Sequence, residues 1–301
     1  MNHIGDVFFS ASFIKNICIN NPDKYFYYYT ILGDTFFDGI SNIRRLNINE
    51  DKYKSFLFNG SAPEDILNDQ YTLNLLRSIN NRDKFNIMSY NNEQVLFINT
   101  WCSSIGFSDF DYLNAINAWK TYINMINKQF NLDLKHTLSM SKELLLPEKL
   151  NQIPKYIESI LDGNNDKQIY FVYNFVCRSL DFDMNKLYNY VDKLADNNIV
   201  ILASKNITYK LKNNNNIYIC DIEPDPHCIN LQVLWQIAKK CNNVIILPCG
   251  ATWLFINNKL INLDKTKLLM FNNQYYTDKL NNNIKHLLDT KDNYIVNINS
   301  V

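Results

Sequence analysis

Gly5-Asp6 lies between a short apolar stub, Met1 to Ile4, and a helical pattern in which Phe9, Phe13 and Ile17 recur every four residues. A carboxylate at the carboxyl end of a strand and at a helix N-terminus is kept ionised by the helix dipole. That suits a general base working at neutral pH. Asp is also a preferred helix cap, and the spacing leaves both uses open. A similar string, Gly33-Asp34-Thr35-Phe36-Phe37, recurs later.

Four further strings sit where a predicted strand ends. Val244 to Leu247 runs into Pro248-Cys249-Gly250-Ala251-Thr252. The backbone N–H groups of Gly250, Ala251 and Thr252 could cradle a diphosphate, or form an ordinary tight turn. Tyr173-Asn174-Phe175-Val176-Cys177-Arg178 closes another strand. There Arg178 would offset the charge of a leaving diphosphate, with Asn174 beside it in the donor site, or Arg178 makes a surface ion pair. Cys220-Asp221-Ile222-Glu223-Pro224 offers acids for ribose hydroxyls, Glu223 before Asp221, or a solvated loop. Asn99-Thr100-Trp101 supplies an aromatic face that stacks on a sugar or fills a core, so Asn99, Trp101 and Gly5 form the expected acceptor side.

Other chemistries find little support. Asp109-Phe110-Asp111 and Asp181-Phe182-Asp183 have the form of a metal-holding acidic pair, but each immediately precedes a predicted helix and reads as an N-cap. The four His show no metal-ligand spacing, so no metal is expected. The seven Cys are scattered without a C-x-x-C, as free thiols in a reducing compartment would be. Neither Gly-x-Gly-x-x-Gly nor a P-loop is present. A net charge of zero over 301 residues argues against a nucleic-acid partner. No apolar run is long enough for a transmembrane segment and no signal peptide is visible, so the expected location is cytoplasmic, with peripheral membrane contact left open. The short Asn runs, 213–216 and 281–283, read as compositional bias placed in turns.

The elements that position these strings alternate. Strands are predicted over Tyr25–Leu32, Gln94–Asn99, Gln168–Phe175, Ile199–Ala203, Ile217–Cys220, Val244–Leu247 and Leu268–Phe271. Helices are predicted after Gly5-Asp6 and over Tyr112–Phe130, Asp183–Asn197, Asn230–Cys241 and Asn281–Leu288. This rhythm predicts an α/β protein of two Rossmann-like, doubly wound domains, residues 1–155 and 156–301, facing across a cleft.

His3-Ile4-Gly5-Asp6-Val7-Phe8-Phe9-Ser10, followed by Phe13-Ile14-Lys15, resembles the N-terminal motif of the heptosyltransferase-like glycosyltransferases, family nine of that enzyme class. The resemblance implies a GT-B fold and inverting, metal-independent transfer. The sugar would pass from a nucleoside-diphosphate sugar, with no further cofactor, to a hydroxyl of a glycan or glycolipid. It places the catalytic base on Asp6 and the donor's phosphates on the turn at Gly250. Cys249 stands where the family has Ser, and Trp253 to Phe255 stand where it has a His. These departures keep two alternatives in view: a non-catalytic binding or assembly module of the same fold, and a nucleotide-sugar epimerase.

Overall fold

The computed structural model describes residues 4–28, 37, 39–45, 74, 77–78, 81, 83–90, 93–100, 102–106, 112–137, 152–164, 166–175, 183–205, 207, 209–212, 215–222, 229–247, 266–270, 278, 282 and 295–297, with side chains placed for most of them. The chain divides into two compact units. The first comprises Met1–Asn2, Phe13–Ile31 and Ile40–Leu138; the second comprises His3–Ser12, Leu32–Gly39 and Ser139–Val301.

Helix α1 spans Ile4–Asn20. It begins earlier than the sequence suggested, so Gly5 and Asp6 fall in its first turn instead of at a strand end. No Pro interrupts Ile4–Asn20, so nothing in the sequence breaks the helix short of Ile4, and Gly5 stands in its first turn, outside the helix interior where glycine costs about 1 kcal/mol.

In the first unit, β1 (Phe26–Tyr28) pairs in parallel with β2 (Ile43–Arg45). Strands β3 (Phe85–Tyr90) and β4 (Glu93–Ile98) form an antiparallel hairpin, with Phe85 opposite Ile98 and Tyr90 opposite Glu93. The described strands of this unit therefore form two separate pairs, where a doubly wound parallel sheet was expected. Two residues separate Tyr90 from Glu93, and a connection that short can join only antiparallel strands. Helix α2 (Cys102–Ile105) follows, then α3 (Tyr112–Phe130).

One stripe of α3, Ala115, Ile116, Trp119, Tyr122, Ile123 and Ile126, is buried. This is the 3.6-residue period of a core-facing helix. Phe13 of α1 stacks on Trp119 at 5.3 Å, and Phe85 of β3 stacks on Tyr122 at 5.1 Å. The Tyr122 hydroxyl donates to the carbonyls of Asn99 (2.6 Å) and Lys84 (3.1 Å), pinning the open end of the hairpin.

The second unit is built on a six-stranded sheet. Its strands are β5 (Ile169–Tyr173), β6 (Ile199–Leu202), β7 (Ile217–Ile219), β8 (Asn243–Ile246), β9 (Thr266–Met270) and β10 (Ile295–Asn297). Their order is β10-β9-β8-β5-β6-β7, and every neighbouring pair is parallel. Numbered within the unit, that is the 3-2-1-4-5-6 order of a doubly wound sheet.

Helices α4 (Lys155–Gly163), α5 (Met184–Ala195) and α6 (Ile229–Lys240) lie between or before the strands in sequence. All four residues of β6 are buried without alternation, as in a parallel sheet covered on both faces. Leu187, Tyr188, Val191 and Ala195 of α5 join Val172, Val200, Leu202, Ile245 and Leu247 in one core cluster. Each fully buried Val, Leu or Ile side chain there contributes roughly 1.5–3 kcal/mol. Asp183 caps α5, its carboxylate accepting from the Asn185 N–H at 3.1 Å, so this member of the Asp-Phe-Asp string is a cap.

Candidate functional site

The chain leaves β5 toward β6 and β7 on one side of the sheet, and leaves β8 toward β9 and β10 on the other. β5 and β8 are neighbours, with Tyr173 in register with Ile246. The carboxyl ends of this strand pair are therefore the topological switch point, where doubly wound sheets take their ligands. Two strings that the sequence marked separately leave the sheet side by side at this point. One continues through Asn174 and Phe175 toward Arg178, the other through Leu247 toward Gly250, Ala251 and Thr252. Arg178, Gly250, Ala251 and Thr252 themselves lie outside the described residues, as does the predicted helix 281–288 apart from residue 282.

At the described part of this edge, Asn174 is 3% exposed. Its Oδ1 accepts from the Ser204 N–H at 2.8 Å, and its Nδ2 donates to the Ser204 carbonyl at 3.0 Å. Nδ2 also donates to the Tyr188 hydroxyl at 3.2 Å. The ladder between β5 and β6 ends at Ala203 N–H to Val172 carbonyl, 3.0 Å, and the Asn174 amide carries it one residue further in place of backbone. Burial pushes the Tyr188 hydroxyl pKa up, and the bond to Asn174 partly offsets this. Asn174, expected in the donor site, thus has its amide engaged by the fold. Phe175 follows, half-buried, its ring 4.8 Å from that of buried Tyr173 at an interplanar angle of 47°.

Further along the same edge, Lys205 reaches the Asp221 carboxylate at 3.1 Å, both groups well exposed. Such a pair contributes little to stability. Asp221 takes a left-handed φ of 51°, uncommon outside glycine, at the point where the chain turns away from β7. Beneath it, the Tyr156 hydroxyl of α4 donates to the carbonyls of Cys220 (2.6 Å) and Ile219 (3.2 Å). Burial holds the Cys220 thiol up at about 12. Glu223, the expected ribose partner, lies outside the described residues. The string that carries it leaves β7, two strands from β5, or about 10 Å across the sheet.

Compared with known proteins, the chain matches no family model, no curated protein and no solved structure.

The acceptor-side residues divide. Gly5 and Asp6 lie in the first turn of α1, and their side-chain surroundings are outside the described residues, as is Trp101. Asn99 follows β4 in the first unit, where its N–H donates to the Lys84 carbonyl at 3.0 Å and its own carbonyl accepts from Tyr122. Among the described residues, no group of His, Cys, Asp and Glu could hold a metal ion, and no helix is long and apolar enough to cross a membrane. Sequence reading passed over Ser204 and Lys205. Their signal is positional: a small polar residue and a cation directly after a buried strand, at the edge where ligands of this sheet type bind.

Proposed function

We propose that the chain is a glycosyltransferase that takes a sugar from a nucleoside-diphosphate sugar and binds this donor beyond the carboxyl ends of β5 and β8. The observation that carries the reading is the strand order of the parallel sheet, whose switch point falls between the two strings marked for a diphosphate. In this reading the N–H groups of Gly250, Ala251 and Thr252 hold the diphosphate, Arg178 offsets its charge, and Glu223 takes the ribose hydroxyls. Asn174 acts from behind, holding the end of β5 in place.

The N-terminal resemblance supplies the chemistry. An acceptor hydroxyl attacks the anomeric carbon from the face opposite the diphosphate. The new C–O bond forms as the bond to the phosphate oxygen breaks, and the nucleoside diphosphate leaves with that electron pair. Asp6 takes the hydroxyl proton, and a single displacement inverts the anomeric centre. The sugar acceptor belongs to the glycan or glycolipid class, and no metal is required because the charge is met by Arg178 and backbone dipoles.

Calorimetry with UDP, ADP, GDP and CDP tests the donor site, and Asp6→Asn tests the base. The variant is expected to bind nucleotide as the native chain does while losing at least 100-fold in transfer, the scale of a general base. Absence of any nucleotide binding would remove the donor site and leave a binding or assembly module. Turnover of the nucleotide sugar without acceptor would point to epimerisation instead.

A further inference from the structure

We propose that Phe175 is the stacking platform for the base of the bound nucleotide. The proposal rests on the reading of the switch point as the nucleotide end of the sheet, and adds to it the residue that recognises the heteroaromatic ring. From Phe171 to Asn174 every residue is buried, and Phe175 is the first at which the chain reaches the surface of the carboxyl edge. It does so at the switch point, two residues beyond Tyr173, the residue paired with Ile246.

Two features fix its ring there. Asn174 locks the backbone immediately before it by two hydrogen bonds to Ser204 and one to Tyr188. Tyr173, itself 3% exposed, lies against the Phe175 ring at 4.8 Å and limits its rotation. A partly exposed aromatic that is held in place loses little further freedom when a second ring stacks on it, and stacking accepts any base because every base offers a π face. Its neighbours Asn174 and Tyr173 are buried, so base recognition at this point is by stacking on Phe175.

The test uses the full chain and compares nucleoside diphosphates (UDP, ADP, GDP, CDP) with inorganic pyrophosphate, which has the phosphates and lacks the base. The native protein is expected to bind at least one nucleoside diphosphate about tenfold more tightly than pyrophosphate. Phe175→Ala is expected to remove that margin while pyrophosphate affinity stays unchanged. Phe175→Trp should keep nucleotide affinity and show fluorescence quenching on binding, in excess of that seen with the native tryptophans. Equal native affinity for pyrophosphate and nucleotides, or unchanged nucleotide binding by Phe175→Ala, overturns the platform and leaves the phosphate site standing. If Phe175→Ala does not fold, the tryptophan variant decides: bound nucleotide without excess quenching overturns the proposal. No binding of either ligand class by the native chain takes down the nucleotide reading as well.

Discussion

The Asn174 side-chain amide grips both peptide groups of Ser204, accepting its N–H at 2.8 Å and donating to its carbonyl at 3.0 Å. A carboxamide has the donor and acceptor of a peptide unit at nearly the same spacing, so it extends the β5–β6 ladder where the backbone itself turns off. A carboxylate of the same shape keeps the acceptor and loses the donor. Asn174→Asp should therefore destabilise the protein by about 1–3 kcal/mol or more, since the Ser204 carbonyl loses its donor and faces a carboxylate oxygen while a charge is buried. Urea denaturation measures this. A variant as stable as the native chain would show that the amide does not close the ladder.

The thiols of Cys18 and Cys220 are each pushed up to about 12 from an ordinary 9.0, mainly by burial. Below pH 9 both folded and unfolded chains keep these protons, and the stability from burying the neutral thiols is fully present. Between about pH 9 and 12 the unfolded chain ionises first, so stability falls as pH rises. Cys220→Ala should flatten that alkaline slope. In native protein at pH 8, Cys18, Cys220 and buried Cys241 should resist alkylation, as mass spectrometry of the labelled peptides would reveal; all three should label in urea. Rapid native labelling at these positions would contradict the burial.

Asp183 distinguishes a cap from a metal ligand. Its carboxylate accepts from the Asn185 N–H at the start of α5, and Asn can do the same. Asp183→Ala should cost about 0.5–2 kcal/mol, and Asp183→Asn much less. Nucleotide affinity should be the same with Mn²⁺ and with a chelator in both variants. A loss of metal-dependent nucleotide binding in Asp183→Asn would return this acid to a metal-ligand role.

Much of the second unit was legible because parallel strands buried on both faces are written as continuous apolar runs. Ile199-Val-Ile-Leu and Val244-Ile-Ile-Leu admit little else between their turn signals. Helix α3 matched its predicted ends, Tyr112 and Phe130, since its apolar stripe has a clear helical period. The β3 strand was missed because Phe85-Asn-Ile-Met-Ser-Tyr mixes polar and apolar residues, and its turn is one Asn pair among many. Three-residue β2, with two Arg, carries too little pattern to be noticed. Helix α4 went unassigned beside the expected domain boundary, although Pro154 stands just before it, where proline starts a helix as readily as it ends one. At the candidate site, the strings were legible from strand ends, whereas their adjacency depends on strand order, which no local pattern encodes.

The structural use of Asn21, Asn127 and Asn174 was not legible in the sequence, because it lies in partners further along the chain. Asn174 and Ser204 are 30 residues apart, and Asn21, 1% exposed, grips Lys135 across 114 residues. Asn21 accepts the Lys135 N–H at 2.9 Å and donates to its carbonyl at 2.8 Å and to the Ile17 carbonyl at 2.7 Å. Asn127 holds Leu134 in the same two-bond manner. If these asparagines only reflected a biased composition, serine would replace them freely. Serine has a single hydroxyl on a shorter stem and cannot span both peptide groups, so Asn21→Ser and Asn174→Ser should each lose about 1–3 kcal/mol. Asn127→Ser, less buried, should lose less. Asn124, exposed on α3, is the control: serine has a similar helix propensity, and Asn124→Ser should stay within about 0.5 kcal/mol of native. Denaturant midpoints for the four variants decide it, and four indistinguishable midpoints would mean that the clamps do not bear on stability.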